Sequence, residues 1–312
     1  MTLARHIDTP VKVTSGIKSG KKISGLQARR TWMAFWFTLP AFVAFILLKY
    51  YPMLQAIYMS LFDYKVTSPP GEFVGLANYL HAFQDPLNAK VWGNNIQIFL
   101  YSLALGFWVP LVQALLLDEV RKLKTVYRVM YLLPSVVPAV AGAVIWKWIY
   151  NPDWGLLNSL LERVGLPAQG WLNDPNQVKL ALTLPGLLGG GLAIFIYLSA
   201  LQGIPSEWYE AADIDGASIF AKLRYITIPA IMPIIGLQFI LALTGAFQVF
   251  DNIYIMTLGG PADASRVIAL NIYYYAFERI QMGYASSMSV LLFIVTFILV
   301  AIQLRFSRRE AQ

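Results

Sequence analysis

Carboxylate side chains are the groups in this chain best suited to binding or catalysis, and they concentrate in one short segment. Glu207, Glu210 and Asp213 recur at the three-residue spacing that places side chains on one face of an α-helix. An acidic face of this kind can bind a basic rim on a partner protein. The alternative is an ordinary solvated loop with an acidic surface, and the residue types alone leave both interpretations open.

The same segment, residues 205–229, has the pattern of a helix, a sharp turn and a second helix. Ser206 is expected to cap the first helix, and Gly216 suits the left-handed conformation that ends a helix. A second helix is expected to begin at about Ala217 and to lead to Pro229, which opens or kinks the apolar stretch that follows. Another face of the first helix carries small residues and one aromatic residue, which allow close approach of a partner: Trp208, Ala211 and Ala212.

Residues for catalysis are scarce elsewhere in the chain. There is no cysteine, which excludes a disulfide, a thiolate metal site and a cysteine nucleophile. Only two histidines occur, His6 in the N-terminal arm and His81 in a loop, so we expect no histidine metal site or acid–base cluster. Gly16 is one residue too close to Lys21 for a phosphate loop, and no strand precedes it. We therefore expect no catalytic residue and no cofactor in this chain.

The composition is that of a membrane protein. Hydrophobic residues make up 57% of the chain and charged residues only 13%, whereas a soluble domain has about 25% charged residues. A helix needs roughly 20 apolar residues to cross the hydrocarbon core. Six stretches meet this need, which predicts an all-α membrane protein with six transmembrane helices. They are 31–58, 96–117, 129–150, 180–204, 225–250 and 281–304.

The distribution of Lys and Arg predicts the orientation of these helices. Sixteen basic residues lie before the first span, after the second and fourth, and after the last, and only seven lie toward the other side. The positive-inside rule places the richer side, with both termini, in the cytoplasm. It explains the net charge of +7 without nucleic acid.

The predicted domain organisation follows from these spans. It comprises a basic cytoplasmic arm at 1–30, a six-span domain at 31–305 that contains the loop 205–229, and a cytoplasmic tail at 306–312. About thirty mostly polar residues precede the first apolar run, so we expect no cleavable signal peptide.

The acidic segment closely resembles the EAA loop of ABC importer permeases. In that family the loop forms a coupling helix that docks in a groove of a cytoplasmic ATPase, with Glu210 as the central contact and Gly216 as the turn. Two positions depart from the pattern: Leu223 replaces a frequent aromatic residue, and Ile228 replaces the usual leucine. The matching residues are Glu210, Ala211, Ala212, Asp215, Gly216, Ala217, Ile226 and Pro229.

Further motifs, in order along the chain, resemble the carbohydrate branch of this family, similar to the first membrane subunit of maltose and glycerol-phosphate importers. They are Arg128–Pro138, Asn151–Gly155, Gly259–Pro261 and Ala276–Phe277 followed by Met282–Ala285. The resemblance implies the type I importer architecture in the bacterial inner membrane. It also implies several partners: a second homologous permease, two ATPase subunits that hold ATP and magnesium, an extracytoplasmic solute-binding protein, and a sugar or oligosaccharide substrate.

The resemblance also assigns substrate-path positions, which are Leu188, Gly189, Leu192, Leu241, Thr244, Gly245 and Gln248. Of these, only Gln248 keeps a hydrogen-bonding group of the family pattern, so a disaccharide like that of the maltose importer is not expected. The run Gly189–Gly191 could make room for a larger oligosaccharide, or it could serve close helix packing.

Three other functions remain as alternatives. Import of glycerol-phosphate or another polyol stays within the family, but a phosphate favours Arg or Lys near the cavity, and the path positions have neither. A secondary transporter needs ionisable residues deep within its spans, whereas Lys49, Lys147 and Asp251 lie near span ends. A membrane-embedded enzyme would need a nucleophile–base pair or a metal cluster, and neither is visible.

Overall fold

A computed structural model describes residues 25–120 and 122–310. Most of the predicted basic arm, Arg121 and the last two residues of the predicted tail lie outside the described residues. The described residues divide into two compact units, one that ends at Met53 and one that begins at Leu54.

The first unit contains most of one long helix. Helix α1, Gly25–Phe45, continues through a π-helical turn at Ile46–Tyr50 into helix α2, Tyr51–Met59. The part from Trp32 to Met59 is an unbroken helix of 28 residues that is long and apolar enough to cross a membrane. None of these residues is buried, so the helix can be covered by lipid or by another chain.

The second unit is built from helices joined by turns and loops. In chain order the helices are α3 (Ala77–Gln84), α4 (Pro86–Tyr101), α5 (Val109–Glu119), α6 (Lys124–Val136), α7 (Ala139–Ile149), α8 (Leu156–Arg163), α9 (Val178–Thr183), α10 (Gly191–Leu201), α11 (Ser206–Ile214), α12 (Ile219–Lys222), α13 (Ile228–Phe247), α14 (Asp251–Met256), α15 (Ile268–Tyr273) and α16 (Met282–Glu310). The irregular turns are π-helical at Ser102–Gly106, Leu223–Thr227 and Tyr274–Glu278, and 3₁₀-helical at Trp171–Asn173 and Leu184–Leu188.

Four helices in the described residues are long and apolar enough to cross a membrane, and the number rises to six if each of two bent helix pairs forms one span. The straight helices are Trp32–Met59, Pro86–Glu119, Ile219–Phe247 and Met282–Arg305. The bent pairs are Thr125–Val136 with Ala139–Ile149, and Val178–Leu188 with Gly191–Leu201. The apolar stretches found in the sequence therefore coincide with helices, although their bounds and straightness differ.

The second membrane helix begins earlier than the apolar stretch 96–117 predicts. The Asp85 carboxylate accepts a hydrogen bond of 2.9 Å from the Leu87 backbone N–H, and Pro86 occupies the first helical turn. This combination is a strong helix start. Hydropathy excludes this first part because it contains asparagines, yet these asparagines are buried against other helices.

The third predicted span is not straight. Its two helices meet at an angle of 92°, where Val137 has an extended backbone with φ −67° and ψ 126°. Pro138 follows Val137, and a residue before proline is sterically disfavoured in the helical conformation. The pair of prolines 134 and 138 was compatible with a continuous span in the sequence, but the structure places the break at the second.

The fourth predicted span bends by 49° between Leu188 and Gly191. Gly189 is extended, and Gly191 takes a left-handed backbone with φ +48°. Since a side chain disfavours that conformation, a glycine is suited to this position. The predicted stretch 180–204 is therefore two short helices joined by the glycine run.

Three hydrophobic clusters hold the second unit together. One lies where α5, α10 and α13 meet, another joins α7, α9 and α14, and the third joins α3, α4, α15 and α16. The first of these contains Leu111, Ala114, Leu117, Ile194, Tyr197, Leu198, Leu201, Ile231 and Ile235. This cluster positions the helices that lead to the acidic segment.

Three buried asparagines on α4 bind polar groups of other segments. Asn95 is fully buried: its Nδ2 donates to the Ala246 carbonyl at 3.0 Å, and its Oδ1 accepts from the Ile268 N–H at 2.8 Å. Asn94 donates to the carbonyls of Asp263 and Arg266, and Asn88 donates to the Tyr284 hydroxyl. In hydrocarbon these bonds satisfy polar groups that would otherwise lack partners.

Asn95→Leu is expected to destabilise the protein by about 1–3 kcal/mol, because it leaves the Ile268 N–H and the Ala246 carbonyl buried without their partner. Thermal unfolding of the purified chain in detergent measures this change. Asn176→Leu, at an exposed loop position, serves as the control and should leave the transition unchanged. An unaltered transition for the Asn95 variant would show that these two bonds contribute no net stability.

Candidate functional site

The segment 205–229 folds into a helix, a turn and a second helix, as the sequence predicts. Gly216 takes the left-handed conformation with φ +73°. The turn is closed by two backbone hydrogen bonds, from Gly216 N–H to the Asp213 carbonyl at 3.1 Å and from Ala217 N–H to the Ala212 carbonyl at 2.9 Å. This is the pattern in which a left-handed glycine ends a helix, so the predicted turn at Gly216 is confirmed. We call residues 205–222 the acidic hairpin.

The predicted helix starts in this hairpin are wrong. Ser206 is the first residue of α11 rather than its cap, and its side chain makes no capping bond because Pro205 occupies the cap position with an extended backbone. The second helix begins at Ile219, not Ala217. Its cap is Ser218, whose hydroxyl accepts a hydrogen bond of 3.2 Å from the Ala221 N–H.

Pro229 lies in the first turn of α13, which agrees with the prediction that it opens the apolar stretch, but the helix is continuous with α12. Residues 219–247 form one helix of 29 residues, with a π-helical turn at Leu223–Thr227 just before the proline. A π-helical turn widens the backbone, which relieves the clash between a proline ring and the preceding turn. The hairpin is thus joined to the membrane by a continuous helix.

The hairpin presents a mixed acidic and apolar surface. Glu210, Ala211, Asp215 and Gly216 are exposed, and Ala212 and Ala217 are half-buried. At the turn lie three large apolar side chains that sequence patterning did not assign to the surface. Ile214 is 88% exposed, Ile219 85% and Phe220 68%. Large apolar side chains exposed beside one turn are typical of a protein interaction site.

Two contacts hold the hairpin in shape. Asp213, which the helical spacing places on the acidic face, forms an ion pair with Lys222 across the turn. The Tyr209 hydroxyl lies 2.9 Å from Thr227 Oγ1 and joins α11 to the base of the long helix. In contrast, the Glu210 side chain makes no hydrogen bond or ion pair within the described part of the chain, so its carboxylate is available to a partner.

A cavity of about 410 Å³ lies between α4–α5, α9–α10 and α13, and we call it the inner cavity. Two of the predicted substrate-path residues, Gly189 and Gly245, line it. Thr244 and Gln248 instead line a separate groove beside α16, together with Ser289 and Thr296. The structure therefore divides the predicted path between two concave surfaces.

The remaining path residues lie on the outside of this subunit. Leu188, Leu192 and Leu241 are all more than half exposed. Leu241, Gly245 and Gln248 follow each other at four- and three-residue spacing on α13, which places them on one face. This face is exposed in the single chain and can be covered by another chain.

The glycine run mostly serves packing and backbone conformation. A Cβ on Gly190 would lie 2.6 Å from Ile194 Cγ1 and 2.8 Å from Gln113 Oε1, so a larger residue would clash. Gly191 is required by its positive φ. A Cβ on Gly189 would meet only Pro134 Cβ at 3.7 Å. The sequence suggested that the run Gly189–Gly191 makes room for a ligand. In the structure only Gly189 is adjacent to such space.

Comparison with known proteins decides the family. Residues 106–312 match the family described as binding-protein-dependent transport system inner membrane component. The chain belongs to this family. We call the chain the permease from here on. Its similarity to known proteins extends beyond the matched residues, because relatives align over most of its length.

Two curated relatives and one solved structure illustrate this similarity. The probable ABC transporter permease protein YurN of Bacillus subtilis is 35% identical over 86% of this chain and 94% of its own. The trehalose/maltose transport system permease protein MalF of Thermococcus litoralis is 30% identical over 91% of this chain and 97% of its own. A subunit of a bacterial alginate ABC transporter, solved with a periplasmic protein bound to alginate pentasaccharide, has a TM-score of 0.81 at 23% identity, with 91% of this chain and 96% of that one covered. This last likeness shows the fold.

Sequence reasoning missed the inner cavity and the apolar turn of the hairpin. The cavity is lined by irregular helical turns at 102–106 and 184–188, which have no hydropathy signature. The apolar turn carried a signal: Ile214, Ile219 and Phe220 surround Gly216, where a solvated loop would be polar. Apolar residues beside a predicted turn were sufficient to indicate an exposed apolar surface.

Proposed function

We propose that this permease is the membrane subunit of an ATP-driven importer for a sugar or oligosaccharide. The observation that supports this most is the acidic hairpin, with its unpartnered Glu210 carboxylate and exposed apolar turn. It lies at the end of a continuous 29-residue helix. A surface of this composition is suited to a groove with a basic rim on a cytoplasmic ATPase.

The mechanism that we propose is mechanical coupling. ATP and magnesium are held by two partner ATPase subunits, which move the hairpin as they close. Because α12 continues into α13, the movement reaches the membrane-spanning helices without an intervening flexible joint. Rigid-body rocking of packed helices then switches access from outside to inside. In this proposal the chain has six spans with both termini in the cytoplasm of a bacterial cell, and it performs no chemistry itself.

The substrate and other partners in this proposal draw on the relatives. The Thermococcus relative is named for trehalose and maltose, and the alginate transporter was solved with a periplasmic protein that carries an oligosaccharide. An extracytoplasmic binding protein would deliver a sugar to this permease in the same manner. The exposed face at Leu241 and Gln248 would lie against a second homologous permease, and the sugar path would run between the two subunits.

Cysteine labelling tests the orientation on which this proposal depends. The chain has no cysteine, so Ala211→Cys on the hairpin and Asn176→Cys on the loop before α9 each provide a single exposed thiol. In intact cells a membrane-impermeant maleimide is expected to label the Asn176→Cys variant fully and the Ala211→Cys variant by less than a tenth as much. In inside-out vesicles the preference is expected to reverse. Labelling of the Ala211→Cys variant from outside the cell would remove the ATPase-docking role.

A further inference from the structure

Two side chains of the inner cavity are buried without a polar partner. Tyr197 on α10 is 1% exposed and Gln238 on α13 is 8% exposed. The Tyr197 hydroxyl and the Gln238 Nε2 have no hydrogen-bond partner among the described residues. A buried polar group without a partner is destabilising, and most such groups in folded proteins are paired. Their retention at one cavity therefore points to a partner that binds there.

The shape of the inner cavity suits a small solute. Its volume of about 410 Å³ is within the usual range for small-molecule sites, roughly 300–1,000 Å³. Three glycines at its wall, Gly106, Gly186 and Gly245, have no atom within 4 Å of an added Cβ. The space in front of them is open, and Phe107 provides an apolar surface beside it.

The helices around the cavity are locally irregular. The π-helical turn at Ser102–Gly106 and the 3₁₀-helical turn at Leu184–Leu188 both contribute to its lining. Such interruptions within longer helices are common at functional sites and hinges. The wall of the cavity can therefore rearrange with less loss of backbone hydrogen bonding than an ideal helix would require.

The chemistry of the lining specifies the class of ligand. Among the residues that the structure describes, no Lys, Arg, Asp or Glu lines the cavity, which disfavours a charged solute. The Gln238 Nε2 is a donor, and a tyrosine hydroxyl can donate or accept. A ligand with several hydroxyl groups, which both donate and accept, matches this pair.

We propose that the inner cavity binds one ring of a neutral sugar, with the Tyr197 hydroxyl and the Gln238 amide as its hydrogen-bonding groups. This site is lined by residues of this chain, and it shares Gly245 with the face at Leu241 and Gln248. The inference rests on the proposed function of sugar import. Both polar atoms are shielded from solvent in this structure, so the ring reaches them as the wall widens, and its binding favours the widened state.

Three variants test the site. Gln238→Leu and Tyr197→Phe each remove one polar partner and are expected to weaken sugar binding about threefold to tenfold, the effect of one net hydrogen bond. Gly186→Leu fills the open space and is expected to weaken binding at least tenfold. Gln202→Leu, at an exposed position at the end of α10, is the control. Binding of radiolabelled trehalose, maltose, maltotriose and raffinose is measured with the full-length permease, purified with its bound partner subunits in lipid nanodiscs.

Thermal unfolding of the same samples separates a binding role from a structural one. Gln238→Leu replaces an unpartnered polar group by an apolar one, so its unfolding temperature is expected to equal or exceed that of the wild type. A lower unfolding temperature would show that Gln238 is structurally paired and would overturn the proposal. Sugar binding that is unchanged in all three variants would overturn the site and leave sugar import standing. If the wild type binds none of the four sugars, the site is refuted.

Discussion

Gly216→Pro is expected to reduce ATP-driven uptake at least tenfold while the permease still inserts in the membrane. Proline fixes φ near −65° and lacks an N–H, whereas Gly216 has φ +73° and donates to the Asp213 carbonyl at 3.1 Å. The substitution therefore reorients the hairpin without altering any membrane-spanning helix. Uptake in cells and co-purification of the ATPase subunits measure the effect, and both are expected to fall together.

A matched variant distinguishes a coupling defect from a general one. Gly165 ends α8 with φ +76° and donates to the Glu162 carbonyl at 3.0 Å, so Gly165→Pro makes the same local change in another loop. It is expected to keep at least half of the wild-type uptake. Glu210→Lys reverses a charge that has no described partner, and it is expected to reproduce the Gly216 defect without a change in stability. Normal uptake in both hairpin variants would refute the docking role.

Gly283→Val is expected to prevent folding of the second unit, with a loss of about 3 kcal/mol or more. A Cβ at Gly283 would lie 2.1 Å from the Phe62 carbonyl oxygen and 2.8 Å from the Tyr64 nitrogen. Both atoms belong to the backbone, and the Gly283 N–H also donates to the Tyr64 carbonyl at 3.0 Å. The start of α16 and residues 62–64 cannot move apart without breaking this hydrogen bond, so relief of the clash costs stability. Yield and monodispersity in detergent measure the outcome.

Gly142→Val is the control for this substitution. An added Cβ at Gly142 on α7 meets no atom within 4 Å, so the same change of residue is expected to cost less than about 1 kcal/mol. If the Gly283 and Gly142 variants unfold at the same temperature as the wild type, the close approach of α16 to residues 62–64 does not limit stability.

Hydropathy located the membrane helices well but could not supply their shape. An apolar run has the same composition whether its helix is straight or bent, so the 92° break at Val137 depends on a local backbone preference before Pro138 and on the neighbours that stabilise it. The first part of the second membrane helix, which begins at Pro86, was missing from the prediction because its residues are polar. Asn88, Asn94 and Asn95 are polar in the sequence, yet they are buried because they bind polar groups more than 150 positions away along the chain.

The hairpin turn was predictable because one residue determines it. Gly216 is suited to a left-handed conformation that most residues avoid, and this requirement is local. Its helix starts could not be read from residue type alone, because the extended backbone of Pro205, and not the side chain of Ser206, sets the start of α11. The substrate-path positions share a motif, but whether they face a cavity or the outside depends on the rotation of α10 and α13, which the motif does not encode.

The bend between α6 and α7 has a consequence for the bilayer. Two helices of 13 and 11 residues rise about 20 Å and 16 Å, and at a right angle their ends are only about 25 Å apart. The hydrocarbon core is about 30 Å thick. As one span, this pair is shorter than the hydrocarbon core, so we expect the permease to work best in thin membranes, with slower transport as lipid tails lengthen.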